Sequence, residues 1–276
     1  MFNISKVAVA MSVYKADKIN FLKLAINSLL TQTYSDITIF IAVDGSVHHE
    51  VKEFLDELNA KDNFFISFYE KNEGLATRLN QLIEQIIDSN KFKFIARMDA
   101  DDICADNRIY EQVNFLQLNE GISVVGSDVI EINELGEKGF YKKMEANHSQ
   151  LINNIIKKCP FNHPTVLFRI SIFIESKHRY RADLLNTQDY YLWIDLGKHG
   201  YKFANINEPL LYFRIDNSFH KRRGLKKAKN DFNARLYAMN KLNMTSVPNL
   251  VISFMVFGLR VSPPFIKKIA YKYLRN

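Results

Sequence analysis

The chain has 276 residues, 47% hydrophobic and 24% charged, with a formal net charge of +7 and a pI near 9.2. That length fits one large α/β domain, or a domain with an appendage, and the composition is that of a folded protein with a sizeable core, not of a disordered or low-complexity chain. Two cysteines, Cys104 and Cys159, exclude a disulfide framework and a four-cysteine zinc site. The expectation is a reducing cytosol, with no signal peptide and no apolar run reaching the ~18 residues of a spanning helix.

The first half alternates strand and helix signals. Val7 to Met11 is a short apolar run of the buried-strand type, followed by Leu22, Ile26, Leu29 and Leu30 at helical spacing. Ile37 to Val43 is β-branched and apolar and ends at Asp44-Gly45-Ser46, a turn signal; a helix is expected from Val47 to Leu58. Phe64 to Tyr69 reads as the third strand. Leu75, Leu79, Leu82, Ile83 and Ile86 stripe the next helix, Phe92 to Met98 reads as the fourth strand, and Ile109, Val113 and Leu116 mark another helix. Such alternation argues for a parallel sheet with helices on both faces. The middle is less regular, with strands expected at Ser123 to Ile132, Thr165 to Arg169 and Leu210 to Ile215, and a helix at Thr187 to Lys198. From Phe219 onward the pattern is helical and basic.

The fourth strand runs into Asp99-Ala100-Asp101-Asp102, three carboxylates within four residues. Like charges this close repel unless a cation sits among them, and carboxylate oxygens suit a hard divalent ion that would bring a diphosphate with it. The other reading is a solvated acidic turn. In parallel α/β sheets ligands bind at the carboxyl ends of strands. Asp44 and the acidic run both end strands, so they are expected to face one crevice.

Further stretches belong with these two: Val9 to Tyr14 (VAMSVY), Ser28 to Tyr34 (SLLTQTY), Val43 to Ser46 (VDGS), Asn72 to Asn80 (NEGLATRLN), Asn162 to Thr165 (NHPT) and Gln188 to Trp193 (QDYYLW). Each is weak alone; in this order they make the chain resemble a family 2 glycosyltransferase of the GT-A fold over about residues 5–215. The resemblance implies a Rossmann-like mixed sheet flanked by helices, with a catalytic domain over 1–218 and a helical, basic extension over 219–276. It further implies an inverting enzyme that moves a hexose from a nucleotide-diphosphate sugar (UDP-galactose or UDP-glucose) to a saccharide acceptor, with Mn²⁺ or Mg²⁺ bridging the phosphates. The implied acceptor is linked to undecaprenyl diphosphate, as in assembly of bacterial O-antigen or capsule at the inner face of the cell membrane.

Residue by residue, the resemblance makes Asp101 the metal ligand and places Asp99 on the ribose or on the metal through water. Asp102 would lie behind the metal or on the sugar, or else cap the following helix. Asp44 would accept the uracil N–H, or else be an ordinary turn residue. Asn72 belongs to the donor site. Arg78, with Asn80, would reach the base or phosphate from a helix start, or else be solvated, and Gly74 would serve the tight loop before it. Tyr14 would stack on the base or simply pack. Asp189 would be the general base, kept ionised by its helix N-terminus, with a capping Asp as the alternative. Trp193 would stack on a sugar or belong to the core, His163 is a core or loop residue near the acceptor side, and His220 would approach the diphosphate.

The C-terminal segment carries a separate signal. Leu250 to Leu259 is apolar but too short to span a bilayer, and Pro263-Pro264 breaks it. Phe265, Ile266, Ile269, Ala270, Tyr273 and Leu274 then alternate with Lys267, Lys268, Lys272 and Arg275. That is a basic amphipathic pattern suited to an anionic membrane surface, or to packing back on the domain. Two other classes compete: a nucleic-acid-binding protein using the basic end, which the acidic run argues against, and a sugar-nucleotide-binding protein without turnover.

Overall fold

A computed structural model of the chain describes residues 5–184, 186–215 and 225–263. Its first half alternates β1 (Val7–Tyr14), α1 (Ile19–Leu30), β2 (Ile37–Asp44), α2 (His49–Asn59), β3 (Phe64–Tyr69), α3 (Leu75–Asp88) and β4 (Phe94–Met98). The four strands are parallel in the order β3-β2-β1-β4. Burial on both faces explains the near-continuous apolar runs of β1, β2 and β4, while β3 is the half-exposed edge. Val7, Val9, Met11, Ile39 and Ile41 face a core shared with α1 and α2. Ala8, Ala10, Phe40 and Ala42 face the stripe of α3, Leu79, Leu82, Ile83 and Ile86.

Register sets the working edge. Tyr14 lies opposite Asp44, and Met11 lies opposite Met98, the last residue of β4. The end of β1 therefore overhangs β4 by three residues, which puts Ser12 to Tyr14 alongside the acidic run.

The second half turns the sheet mixed. In chain order it contains β5 (Ile103–Cys104), α4 (Arg108–Leu118), β6 (Ile122–Ile132), β7 (Lys138–Lys142), α5 (His148–Asn153), β8 (Leu167–Arg169), α6 (Ser171–Ser176), α7 (Gln188–Lys198) and β9 (Lys202–Arg214). The short β8 pairs antiparallel with β4 and with β6, β6 runs parallel to β9, and β9 pairs antiparallel with β5. The strand expected from Thr165 begins at Leu167 because His163–Thr165 forms a 3₁₀ turn. The strand expected from Leu210 begins eight residues earlier, at Lys202, and passes Pro209 where its register with β6 shifts.

Two helices follow, α8 (Leu225–Lys241) and α9 (Val247–Val261). Ala234, Ala238 and Met239 of α8 form a third core with Tyr190, Tyr191 and Ile194 of α7. Phe232 of α8 packs on Phe254 and Phe257 of α9, at ring-centroid distances of 5.0 and 5.5 Å. Ser246 caps α9 by accepting the Asn249 N–H at 3.3 Å, and Pro248 sits in its first turn. His220 and the basic stretch Phe265 to Arg275 lie outside the described residues.

Candidate active site

The turn after β2 needs a glycine. Gly45 has φ +81°, and a Cβ there would stand 3.1 Å from the Asn72 nitrogen. The loop of residues 72–74 thereby closes on the end of β2, and Asn72 donates its side-chain amide to the Asp44 carbonyl at 3.1 Å. The buried Asp44 carboxylate holds that loop. Its Oδ1 accepts from the Glu73 N–H at 2.9 Å and from Arg78 Nε at 2.7 Å, and its Oδ2 accepts from the Gly74 N–H at 2.9 Å.

Arg78 is equally buried and does not line the cleft described below. It is bonded to Gln81 at 2.7 Å and to the Lys71 carbonyl, pairs with Glu73 at 3.1 Å, and lies 4.0 Å from the centroid of the Tyr69 ring. Arg78 therefore sits behind Asp44 as its counter-charge, neither solvated nor facing a base. Asn80 is likewise occupied, exchanging two hydrogen bonds of 2.8 Å with the backbone of Tyr180.

At the end of β4 the carboxylates of Asp99, Asp101 and Asp102 lie within 4.8 Å of one another. Asp99 pairs with Arg97 at 2.5 Å. Asp102 is fully buried, so it does not present itself to a sugar. Its Oδ1 accepts the Arg214 N–H at 2.8 Å, while its Oδ2 has no hydrogen-bond partner among the described residues. It does not cap α4, whose N-cap is Asn107. Burial, then the charges of Asp99 and Asp101, push Asp102 well above the usual carboxylate range. Burial likewise raises Asp17, in the loop after β1, to about 7, with Asp101 and Asp99 adding to the shift.

Three crowded carboxylates, with the buried Asp102 raised and one of its oxygens orphaned, are what a hard divalent cation would relieve, so the donor set fits Mn²⁺ or Mg²⁺.

Asp189 stands in the first turn of α7, after Thr187 in the left-handed region with φ 67°. The helix N–H groups and Lys227 lower its pKa, but burial outweighs them and the net shift is upward. The N-terminus alone, as read from sequence, predicts the opposite direction.

A cleft of about 530 Å³ joins these parts. Tyr14, Asp44, Asn72, Asp99, Asp101 and Asp189 all line it, contributed by segments 175 residues apart in sequence (Tyr14 to Asp189). His163 lines it too, half-buried and 2.9 Å from the Tyr180 hydroxyl, and desolvation holds its pKa well below the usual value. Trp193 is fully buried against Phe161, Phe168 and Phe203, a core residue.

Sequence reasoning missed Asp17, Arg97, Tyr180, Arg214 and Lys227. Arg97 had a signal, because it shares a strand face with buried Ile95 and lies two residues before the acidic run. Arg214 had only its place at a strand end.

The sequence matches the model of Glycosyl transferase family 2 over residues 8–176. It is 31% identical to the O-antigen biosynthesis glycosyltransferase WbnJ of Escherichia coli, over 76% of this chain and 80% of that one. It is 28% identical to the UDP-Gal:alpha-D-GlcNAc-diphosphoundecaprenol beta-1,3-galactosyltransferase of Escherichia coli, over 97% and 95% of the two chains. Among solved structures, S. aureus TarS 1-349 in complex with UDP-GlcNAc superposes with a TM-score of 0.64 at 15% identity, covering 98% of this chain and 85% of that one. That likeness establishes the GT-A fold. The strand-end carboxylates, the matched motifs and the fold agree: the chain belongs to glycosyl transferase family 2 and is a glycosyltransferase.

Proposed function

We propose that the chain transfers a hexose, with inversion, from a UDP-sugar to a hydroxyl of a lipid-diphosphate-linked saccharide, in assembly of a bacterial surface polysaccharide at the cytoplasmic face of the membrane. One observation carries this reading: the acidic cluster after β4 and Asp189 of α7 line one cleft.

A uracil base suits the end of β2. A carboxylate has about four lone-pair positions. Three donors occupy the Asp44 carboxylate, two on Oδ1 and one on Oδ2, which leaves Oδ2 able to accept the uracil imide N–H. Tyr14 and Asn72 flank the same part of the cleft. Asp101 and Asp99 would hold the divalent cation, with Asp102 behind them, and the cation would supply counter-charge to the diphosphate. Arg214 and Lys227 bring further positive charge to the cleft wall.

Asp189 does the proton chemistry. Its carboxylate takes the proton of the acceptor hydroxyl as that oxygen forms a bond to the anomeric carbon. The bond from that carbon to the diphosphate oxygen breaks, and the nucleoside diphosphate leaves with the electron pair. An α-linked donor then gives a β-linked product. A base works best with a pKa near the operating pH, and burial moves Asp189 in that direction.

The acceptor class follows the Escherichia coli relative named for its diphosphoundecaprenol substrate. Hexose identity is tested by a panel of UDP-, GDP- and dTDP-sugars, read as nucleotide release with a lipid-linked acceptor. Release from a UDP-hexose supports the reading; turnover confined to GDP- or dTDP-sugars overturns the uracil assignment, and no turnover with any donor favours binding without transfer.

A further inference from the structure

Helix α9 presents an apolar face to the outside. Val247, Val251, Phe254 and Met255 are 75%, 50%, 61% and 68% exposed, and Gly258 continues the row. The spacing of i, i+4, i+7, i+8 and i+11 places them along one side of the helix. A helix on the surface of a water-soluble domain normally shows its polar residues there. Here the arrangement is reversed. The one charged residue of α9, Arg260, turns inward and pairs with Asp231 of α8 at 2.9 Å, and Ser253 is the buried position.

Length and charge say what covers this face. Fifteen residues make a helix about 22 Å long, short of the ~30 Å hydrocarbon core, and no helix among the described residues is long and apolar enough to cross a membrane. An apolar face on such a helix suits lying in an interface plane. Charge is divided along the chain: residues 219–276 hold 13 Lys and Arg against one Asp, while residues 1–218 hold 24 against 29 Asp and Glu. The apolar row thus lies within the strongly cationic part of an otherwise acidic protein. Exposed Lys226, Lys229 and Lys241 precede it on α8, and Lys267, Lys268, Lys272 and Arg275 follow it in sequence.

We propose that the outward face of α9, Val247, Val251, Phe254 and Met255, is the surface by which the protein docks onto an anionic lipid bilayer. This rests on the reading of the acceptor as lipid-linked, and it adds the element that seats the enzyme where such an acceptor lies. The seat is tied to the chemistry. α9 is fixed to α8 through Phe232 and the Arg260–Asp231 pair. α8 is fixed to α7 through the Tyr237 hydroxyl on Asp195 at 2.6 Å, and α7 carries Asp189 in its first turn. Lys227 of α8 lines the cleft itself. A bilayer under α9 therefore lies at a fixed position relative to the cleft.

The test is flotation of the full-length protein with phosphatidylglycerol-containing vesicles and with pure phosphatidylcholine vesicles. Val251→Thr and Met255→Gln, near-isosteric and at positions already exposed, are combined in one variant. The expected result is binding to the anionic vesicles, and a loss of at least about tenfold in the double variant, since each side chain forfeits its apolar burial. Nucleotide release with a water-soluble saccharide acceptor stays unchanged in the variant, which separates a failed docking surface from a failed catalytic reading. Equal flotation of variant and parent overturns the proposal. So does loss of binding only on removal of residues 264–276, with the double variant unaffected, or a dimer in light scattering that the double variant dissolves, which would make a second copy the partner.

Discussion

Asp44→Asn separates two roles of one carboxylate. In the structure Asp44 is first the anchor of the 72–74 loop: it is buried, paired with the equally buried Arg78 at 2.7 Å, and bonded to two backbone N–H groups. Asparagine keeps the shape but loses the charge, and its amide N–H₂ must face a donor on one side. Removing one partner of a buried ion pair costs about 3–5 kcal/mol. Arg78 keeps Glu73, Gln81 and the Lys71 carbonyl, so the cost reduces to roughly 2–4 kcal/mol. For a domain of this size that corresponds to a melting temperature lower by about 3–7 °C. Thermal unfolding with and without UDP reads it, and UDP affinity falls as well because the loop carries Asn72. A melting temperature within about 1 °C of the parent, with only UDP affinity reduced, would refute the anchoring argument and leave Asp44 a simple ligand.

Three other expectations follow from the site. Asp101→Ala abolishes metal-dependent donor binding in calorimetry; an unchanged Mn²⁺ dependence would remove the metal assignment. Asp17, raised to about 7, favours its protonated form in the fold, so its contribution is complete below the unfolded value of 3.8 and is lost as pH rises through about 7. Asp17→Asn therefore stabilises the metal-free protein at pH 8 by about 1–3 kcal/mol and leaves it nearly unchanged at pH 3; equal effects at both pH values would contradict this. Because burial raises Asp189 and the ionised form is the base, kcat/KM falls with decreasing pH on a limb lying above the ordinary aspartate value of about 3.9. A limb at or below that value would contradict the burial argument.

The parallel half of the fold was legible because β-branched runs and 3.6-residue stripes alternate cleanly there. The second half was not. β5 has two residues and α5 and α6 have six each, too short to carry a period. β9 begins with Lys202-Phe-Ala-Asn-Ile-Asn-Glu-Pro209, whose polar residues and proline argue against a strand, yet the chain follows β6 through register shifts on either side of Asp128. Arg78 was readable in hindsight: it lies three residues after Leu75 and four before Leu82, on the buried stripe of α3. Its partner was not readable, because a pair 34 residues apart leaves no periodic trace. Asp189 was placed in the cleft by motif order alone, and the upward shift of its pKa came from packing by distant segments that local helix electrostatics could not include.

The central claim is that Asp189 deprotonates the acceptor while the acidic cluster holds the donor. The most direct measurement compares Asp189→Asn with the parent in donor binding and in transfer. The account predicts metal-dependent UDP-sugar affinity within about twofold of the parent and transfer slowed at least about a hundredfold, since general-base catalysis is worth about 10²–10⁴. Transfer at the parental rate, with the donor bound as before, would contradict it.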